Sequence, residues 1–296
     1  MKQLAQRRLN LTPYLYILPF MGFFALFNLY PLLYGFIISF LDRNNARKLL
    51  SNTFVWFENY HKALTLSTTF ASLWRTVVFT TIFTALVMGL GFLFAVLFNK
   101  EFVGRKVARS MFYMPYVTNL IAVGIVFKYL FNPSKGPVNA LWRLVGKSGP
   151  EWLLDPSLAL IMVAVIGAWA ALAFNVITIL AALQEVPRDL YEVAQIEGVN
   201  PIQRIRYVTL PLIAPHLFTL LTITLINSFK NFTTIIGLTG GGPGTATQVM
   251  SLQIYNDAFI HLKFGIAAAE GVLFTLFIFL VNSLVNQARK RWLTQH

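Results

Sequence analysis

Long apolar runs separated by short polar segments dominate this chain. A helix rises about 1.5 Å per residue, so crossing a hydrocarbon core of about 30 Å takes roughly 20 mainly apolar residues. Six segments reach that length, near residues 13–41, 71–98, 108–131, 158–184, 213–236 and 264–287. Pro19 and Pro31 interrupt the first, which predicts a kink or two pieces there. That first run is too long for a signal-peptide core and lacks a small-residue cleavage site, so it reads as a retained helix. No segment convincingly repeats another. The pattern predicts an all-α polytopic membrane protein with six transmembrane helices, forming a single transmembrane domain over 1–296.

Composition sharpens this picture. The 296 residues are 56% hydrophobic and 12% charged, about half the charge of an ordinary soluble domain. The net charge of +13 comes from 24 Lys+Arg against 11 Asp+Glu. These cations sit between apolar runs, which suits orientation in a bilayer and not nucleic-acid binding. With the N-terminus inside, segments 1–12, 99–107, 185–212 and 288–296, together with Arg109, hold 13 Lys/Arg against 8 in the outer loops. Both termini are therefore expected to be cytoplasmic. The absence of cysteine excludes disulfides, thiolate metal sites and cysteine nucleophiles. His61, His216, His261 and His296 are scattered without metal spacing, and no carboxylate pair shares a helical face at mid-membrane. Neither a catalytic nor a metal site is expected, and the chain is not expected to be an enzyme.

The loop 185–212 is polar and helix-compatible. Pro187, Arg188 and Asp189 suit a helix start, with Asp189 favouring the amide dipole. Leu190, Val193 and Ala194 would share one face. Gly198 allows a left-handed turn, Asn200 can cap a second helix with Pro201 at its first position, and Leu210-Pro211 is expected to end it. With Glu192, Ala194, Gly198, Leu210 and Pro211 in place, this segment resembles the cytoplasmic EAA loop of binding-protein-dependent ABC importer permeases. It departs from that pattern at Val193, Glu197, Val199 and Val208. The resemblance implies that 190–196 docks on an ATPase subunit, with Leu190, Tyr191, Glu192, Ala194 and Gly198 forming the coupling element and Glu192 meeting an ATPase arginine.

Residues 237–247 are glycine-rich but lack the Lys-Ser/Thr of a phosphate loop, so ATP binding by this chain is not expected. The wider pattern is Ser228-Phe229, Phe232, Leu238-Thr239, Gly241-Gly242-Pro243, Thr247, Ile254-Tyr255, Ala258-Phe259, Gly265 and Ala267 to Ala269. It is similar to the C-terminal third of carbohydrate-importer permeases, the maltose/glycerol-phosphate type carrying LTxGGP. The resemblance implies a type I ABC importer permease fold in a bacterial or archaeal cytoplasmic membrane. It further implies a second homologous permease subunit, two ATPase subunits that hold ATP and Mg, an extracellular or periplasmic solute-binding protein, and a sugar or oligosaccharide as substrate. No cofactor is expected in this chain. An ABC permease for a non-sugar solute is one alternative. A secondary transporter is another, but the inverted repeats and mid-membrane ion relay common in that class are missing.

Polar side chains within the spans mark the candidate path. Lys230 and Glu270 fall at similar depth in the outer third, where they can pair, snorkel to the interface or line the path. Asn227, Asn231 and Thr234 are expected on one face of the fifth span, and Asn175 near the middle of the fourth. In related importers the fifth span contributes sugar contacts, which makes Asn227 and Asn231 the first choices. Interhelical hydrogen bonding is the competing role for these amides.

Overall fold

The computed structural model describes residues 12–295, with side chains from 15 to 292. Lys2, Arg7, Arg8 and His296 lie outside the described residues. Among the described residues the chain is almost entirely helical. Five helices are long and apolar enough to span a membrane, and six if a bent pair counts as one span.

Helix α1 (Thr12–Phe24) passes through a π-turn at Ala25–Leu29 into Tyr30–Ile38. The expected break is a register shift instead. The Tyr30 amide bonds the carbonyl of Ala25, five residues back, immediately before Pro31. A proline in a helix clashes with the carbonyl four residues back and donates nothing to it. A wider turn just ahead of it relieves that conflict without ending the helix.

Two compact units can be distinguished. One comprises residues up to 65 together with 256–272. In it, the buried Asn59 of α2 (Glu58–Thr65) donates to the carbonyls of Ser39 and Leu41, each at 2.9 Å, and accepts from Asn44 at 2.8 Å. Asn44 in turn accepts the Ile266 amide at 2.9 Å. A Cβ at Gly265 would lie 2.6 Å from the Leu41 carbonyl oxygen, so only glycine fits. Arg43, one of the basic residues counted in the outer loops, is 9% exposed and is satisfied by Ser51, Tyr34 and Asn52.

The other unit holds 66–255 and 273–296. Its core pairs α3 (Ser67–Asn99) with a helix, Pro156–Glu185, that is mostly buried but leaves one stripe exposed through Ile161, Val165, Trp169 and Ile177. Gly91 meets Asn175 there, and Gly167 meets Thr234. The third expected span is not one straight helix. Helix α4 (Arg105–Tyr113) and a 3-10 turn at Met114–Val117 meet α5 (Leu120–Leu130) at a bend of 100°. Pro115 interrupts the amide ladder, and the Asn119 side chain caps α5 by accepting from Ile121 and Ala122 at 2.9 and 3.3 Å. Beyond α6 (Pro137–Leu144), Asp155 caps the Pro156–Glu185 helix, which we number α7. The Ser157 hydroxyl and amide both donate to the Asp155 carboxylate and hold its pKa below the ordinary value.

Candidate functional site

At one end of the larger unit, α8 (Arg188–Ile196) folds back on the bundle. It closes as expected from the sequence, with Gly198 at φ +71° and the Val199 amide bonding the Ala194 carbonyl at 3.0 Å. Asn200 and Gln203 then form a reciprocal capping box around Pro201. Leu210-Pro211 does not end the second helix. Residues Pro201–Phe229 run on as one rod, α9, through a π-turn at Ile205–Thr209. The Leu210 amide bonds the Ile205 carbonyl, five residues back, just ahead of Pro211. Pro31 is accommodated in the same way.

The faces of α8 also differ from expectation. Ala194 is buried, whereas Leu190, Val193 and Ile196 are 41%, 56% and 85% exposed. Tyr191 is the anchor. Its ring joins the apolar cluster of Leu183, Val186 and Ile213, its hydroxyl lies 3.3 Å from that of Thr209, and the Arg204 guanidinium sits 5.6 Å above the ring. A cavity of about 300 Å³ opens beside it, lined by Asn99, Lys100, Leu183, Arg204 and Thr209. Glu192 is exposed on the outer face, next to the apolar stripe. Arg109 of α4 donates to the carbonyl of Phe98 at 2.6 Å, satisfying the last turn of α3 at this same end.

At the opposite end α9 stops at Phe229, with Lys230 as its C-cap. The chain restarts as α10 (Thr233–Leu238) and, after a glycine loop, as α11 (Met250–Tyr255). The break separates three residues expected on one face. Asn227 is exposed on α9, Asn231 lies in the break with its Oδ1 accepting the Thr234 amide at 3.3 Å, and Thr234 is buried against Gly167. Lys230 is exposed and, among the described residues, pairs with no carboxylate of its own unit. Glu270 is fully buried and belongs to the other unit. The Asn175 side-chain Oδ1 accepts the Thr224 hydroxyl at 3.0 Å between α7 and α9.

The glycine loop is ordered. Gly240, Gly241 and Gly244 take positive φ, and the buried Thr247 joins Thr239 at 2.6 Å and donates to the Gly242 carbonyl at 2.8 Å. The loop is tied to α3 because Thr76 Oγ1 accepts the Met250 amide at 2.7 Å and Arg75 donates to Thr245 at 3.3 Å. Sequence reasoning missed Arg75 and Thr76. Only the recurring hydroxyls on one face of α3, at Ser72, Thr76, Thr80 and Thr84, hinted at a polar interior.

Residues 87–293, most of the chain, match the family described as "Binding-protein-dependent transport system inner membrane component". The chain belongs to that family. A sn-glycerol-3-phosphate transport system permease of Agrobacterium fabrum is 31% identical over 272 residues, covering 91% of each chain. An arabinooligosaccharide transport system permease of Halalkalibacterium halodurans is 31% identical over 277 residues, covering 92% of this chain and 86% of its own. Among solved structures, a bacterial ABC transporter for import of the acidic polysaccharide alginate superposes with a TM-score of 0.83 at 23% identity, covering 95% of both chains. The inward-facing methionine ABC transporter superposes with 0.55 at 17% identity, covering 75% of this chain and 94% of that one. At those identities the likeness is one of fold. This binding-protein-dependent permease is thus a multi-pass transport subunit of an ABC importer and not an enzyme.

Proposed function

We propose that this permease carries a sugar or oligosaccharide inward across a bacterial or archaeal cytoplasmic membrane, with six spans and both termini cytoplasmic. It works beside a second homologous permease, above two ATPase subunits that hold ATP and Mg, and receives substrate from an external or periplasmic binding protein. One observation carries the coupling assignment: α8 is fixed to the bundle by Tyr191 and Ala194 while Leu190, Val193 and Ile196 stay uncovered. A short amphipathic helix held on one side and apolar on the other is built to receive a partner's groove. Glu192 beside that stripe supplies the charge for a cationic partner residue, and Gly198 makes the turn that points the helix back. The substrate class follows the relatives, two of which transport sn-glycerol-3-phosphate and arabinooligosaccharides. We assign Asn227, Lys230 and Asn231 to the path, and Asn175 and Thr234 to helix packing. Glu270 is assigned a path-side structural role.

Co-purification from gently solubilised membranes tests this reading. A C-terminally tagged wild-type chain should recover a second permease and an ATPase. Leu190→Asp combined with Glu192→Ala, both exposed positions, should lose the ATPase and keep the second permease. An ATPase retained by that variant would remove α8 from the coupling role.

A further inference from the structure

The end of the larger unit opposite α8 carries two cations that the packing of the bundle does not explain. Lys230 is exposed where α9 stops, its amide bonds the carbonyl of Ile226, and its ammonium forms no ion pair with a carboxylate of the unit among the described residues. Half-buried Arg75 lies on α3, about 36 Å along the helix from Asn99, and its guanidinium meets a neutral hydroxyl of Thr245. Consecutive residues of α11 hold the two cations around one short helix. The Met250 amide bonds Thr76, next to Arg75, and the Ser251 hydroxyl bonds the carbonyl of Asn231, next to Lys230. Residues 66–100 and 201–255 contain no aspartate or glutamate. Of the unit's other acidic residues, Asp189, Glu192 and Glu197 lie at the other end, and Glu151 and Asp155, just before α7 at this end, form no ion pair with either cation among the described residues.

Cationic residues of membrane-spanning segments that have no fixed counter-charge mark substrate or ion pathways. The same place offers a surface for the other half of an acidic sugar. The rings of Phe232 and Tyr255 lie 5.0 Å apart, inclined at 53°, and Tyr255 is 37% exposed. Aromatic faces take the C–H side of a sugar ring, and an ammonium with a guanidinium takes its oxyanion.

Resting on the sugar-importer reading above, we propose that the substrate is an acidic saccharide, carrying a carboxylate or a phosphate, and that Lys230, with Arg75 across α11, recognises its oxyanion. The cations would supply in the path what no neutral polar lining can, since exchanging a sugar anion's water for amides alone leaves its charge uncompensated.

The test is uptake by the assembled importer, with its partner permease, ATPases and saturating binding protein, reconstituted in proteoliposomes. Panels of neutral oligosaccharides, uronate oligosaccharides and sugar phosphates are presented. Uptake of a member of one acidic panel is expected, and which panel responds separates the carboxylate from the phosphate source. Lys230→Gln should lower that uptake at least ~10-fold, as for loss of a charge-assisted hydrogen bond, while Lys230→Arg should stay within about 3-fold. Lys147→Gln, on the outer loop, should change nothing, and an equal loss there would reduce the effect to bulk charge and overturn the proposal. Uptake of neutral sugars alone, or unchanged acidic uptake by Lys230→Gln, overturns it and leaves the sugar-importer reading standing. No uptake from any panel by a complex that still hydrolyses ATP overturns both. If Lys230→Gln fails to assemble, Arg75→Gln is read in its place by the same criteria.

Discussion

Tyr191 is the residue through which α8 holds the bundle, and its removal can be followed quantitatively. The half-buried ring packs against the apolar cluster that includes Leu183, Val186 and Ile213. Truncating a fully buried large aromatic to alanine costs about 3–5 kcal/mol, so about half of that applies here. The Arg204 guanidinium 5.6 Å above the ring adds about 0.5–1 kcal/mol. The hydroxyl contact with Thr209, long at 3.3 Å, adds about 0.5 kcal/mol. Tyr191→Ala should therefore weaken docking of α8 by roughly 3 kcal/mol, which multiplies local opening about 100-fold. Tyr191→Phe keeps the ring and should cost only about 0.5 kcal/mol. Hydrogen exchange followed by mass spectrometry over residues 188–199 reads the difference. Exchange should rise steeply in the alanine variant and barely in the phenylalanine one, with exchange in the core of α7 unchanged. Equal exchange in both variants would refute the anchor, as would a rise spread over the whole unit.

Three further outcomes follow from the geometry. A side chain at Gly124 would put its Cβ 2.6 Å from the carbonyl carbon of Gly237, so Gly124→Val should cost at least about 1–3 kcal/mol and lower the detergent-solubilised melting temperature. The Asn175–Thr224 hydrogen bond joins α7 to α9, and a double-mutant cycle of Asn175→Leu and Thr224→Val should give a coupling of about 0.6–1.7 kcal/mol. The lowered pKa of Asp155 makes its cap favourable above the ordinary carboxylate range, and the contribution is lost as pH falls through the folded value. Asp155→Asn should flatten that acid-side loss in thermal melts.

Much of this fold was legible because membrane helices announce themselves by length. Ser67–Asn99 and Pro156–Glu185 begin and end near the expected residues, and the last helix begins at the expected Phe264 but runs on past 287 to Gln295. The local structure of the loop 185–212 was legible for a different reason. Gly198, Asn200, Pro201 and Gln203 act through local backbone chemistry, which needs no knowledge of tertiary neighbours. The proline at 211 misled because its cost was reckoned for an α-helical register, and a π-turn removes that cost. The break after Phe229 was invisible to periodicity, since apolar residues continue on both sides of it. What decides it is the pairing of α10 with α5, where Gly237 and Gly124 meet backbone to backbone. Such a contact lies 113 positions apart in sequence and leaves no local trace. Asn231 and Thr234 were misplaced for the same reason.

The rod that sequence reasoning cut in two is the element that joins both ends of the unit. Thr209, beside Tyr191, and Lys230 are held by one uninterrupted helix, and 21 residues at 1.5 Å place them about 31 Å apart. Along that length two polar side-chain links from α9 to α7 stand among the described residues, Thr224 to Asn175 and His216 to Glu185 at 3.3 Å, and the rest of the rod is held by apolar packing, which permits sliding in discrete steps. A displacement of α8 applied through Tyr191 enters α9 at the π-turn, where the bonding is already one residue out of α register. It leaves at the Lys230 break, where the helix has no further turn to absorb it. The π-turn and the Lys230 break are thus the two ends of one continuous helical route from the exposed apolar stripe to the cations around α11.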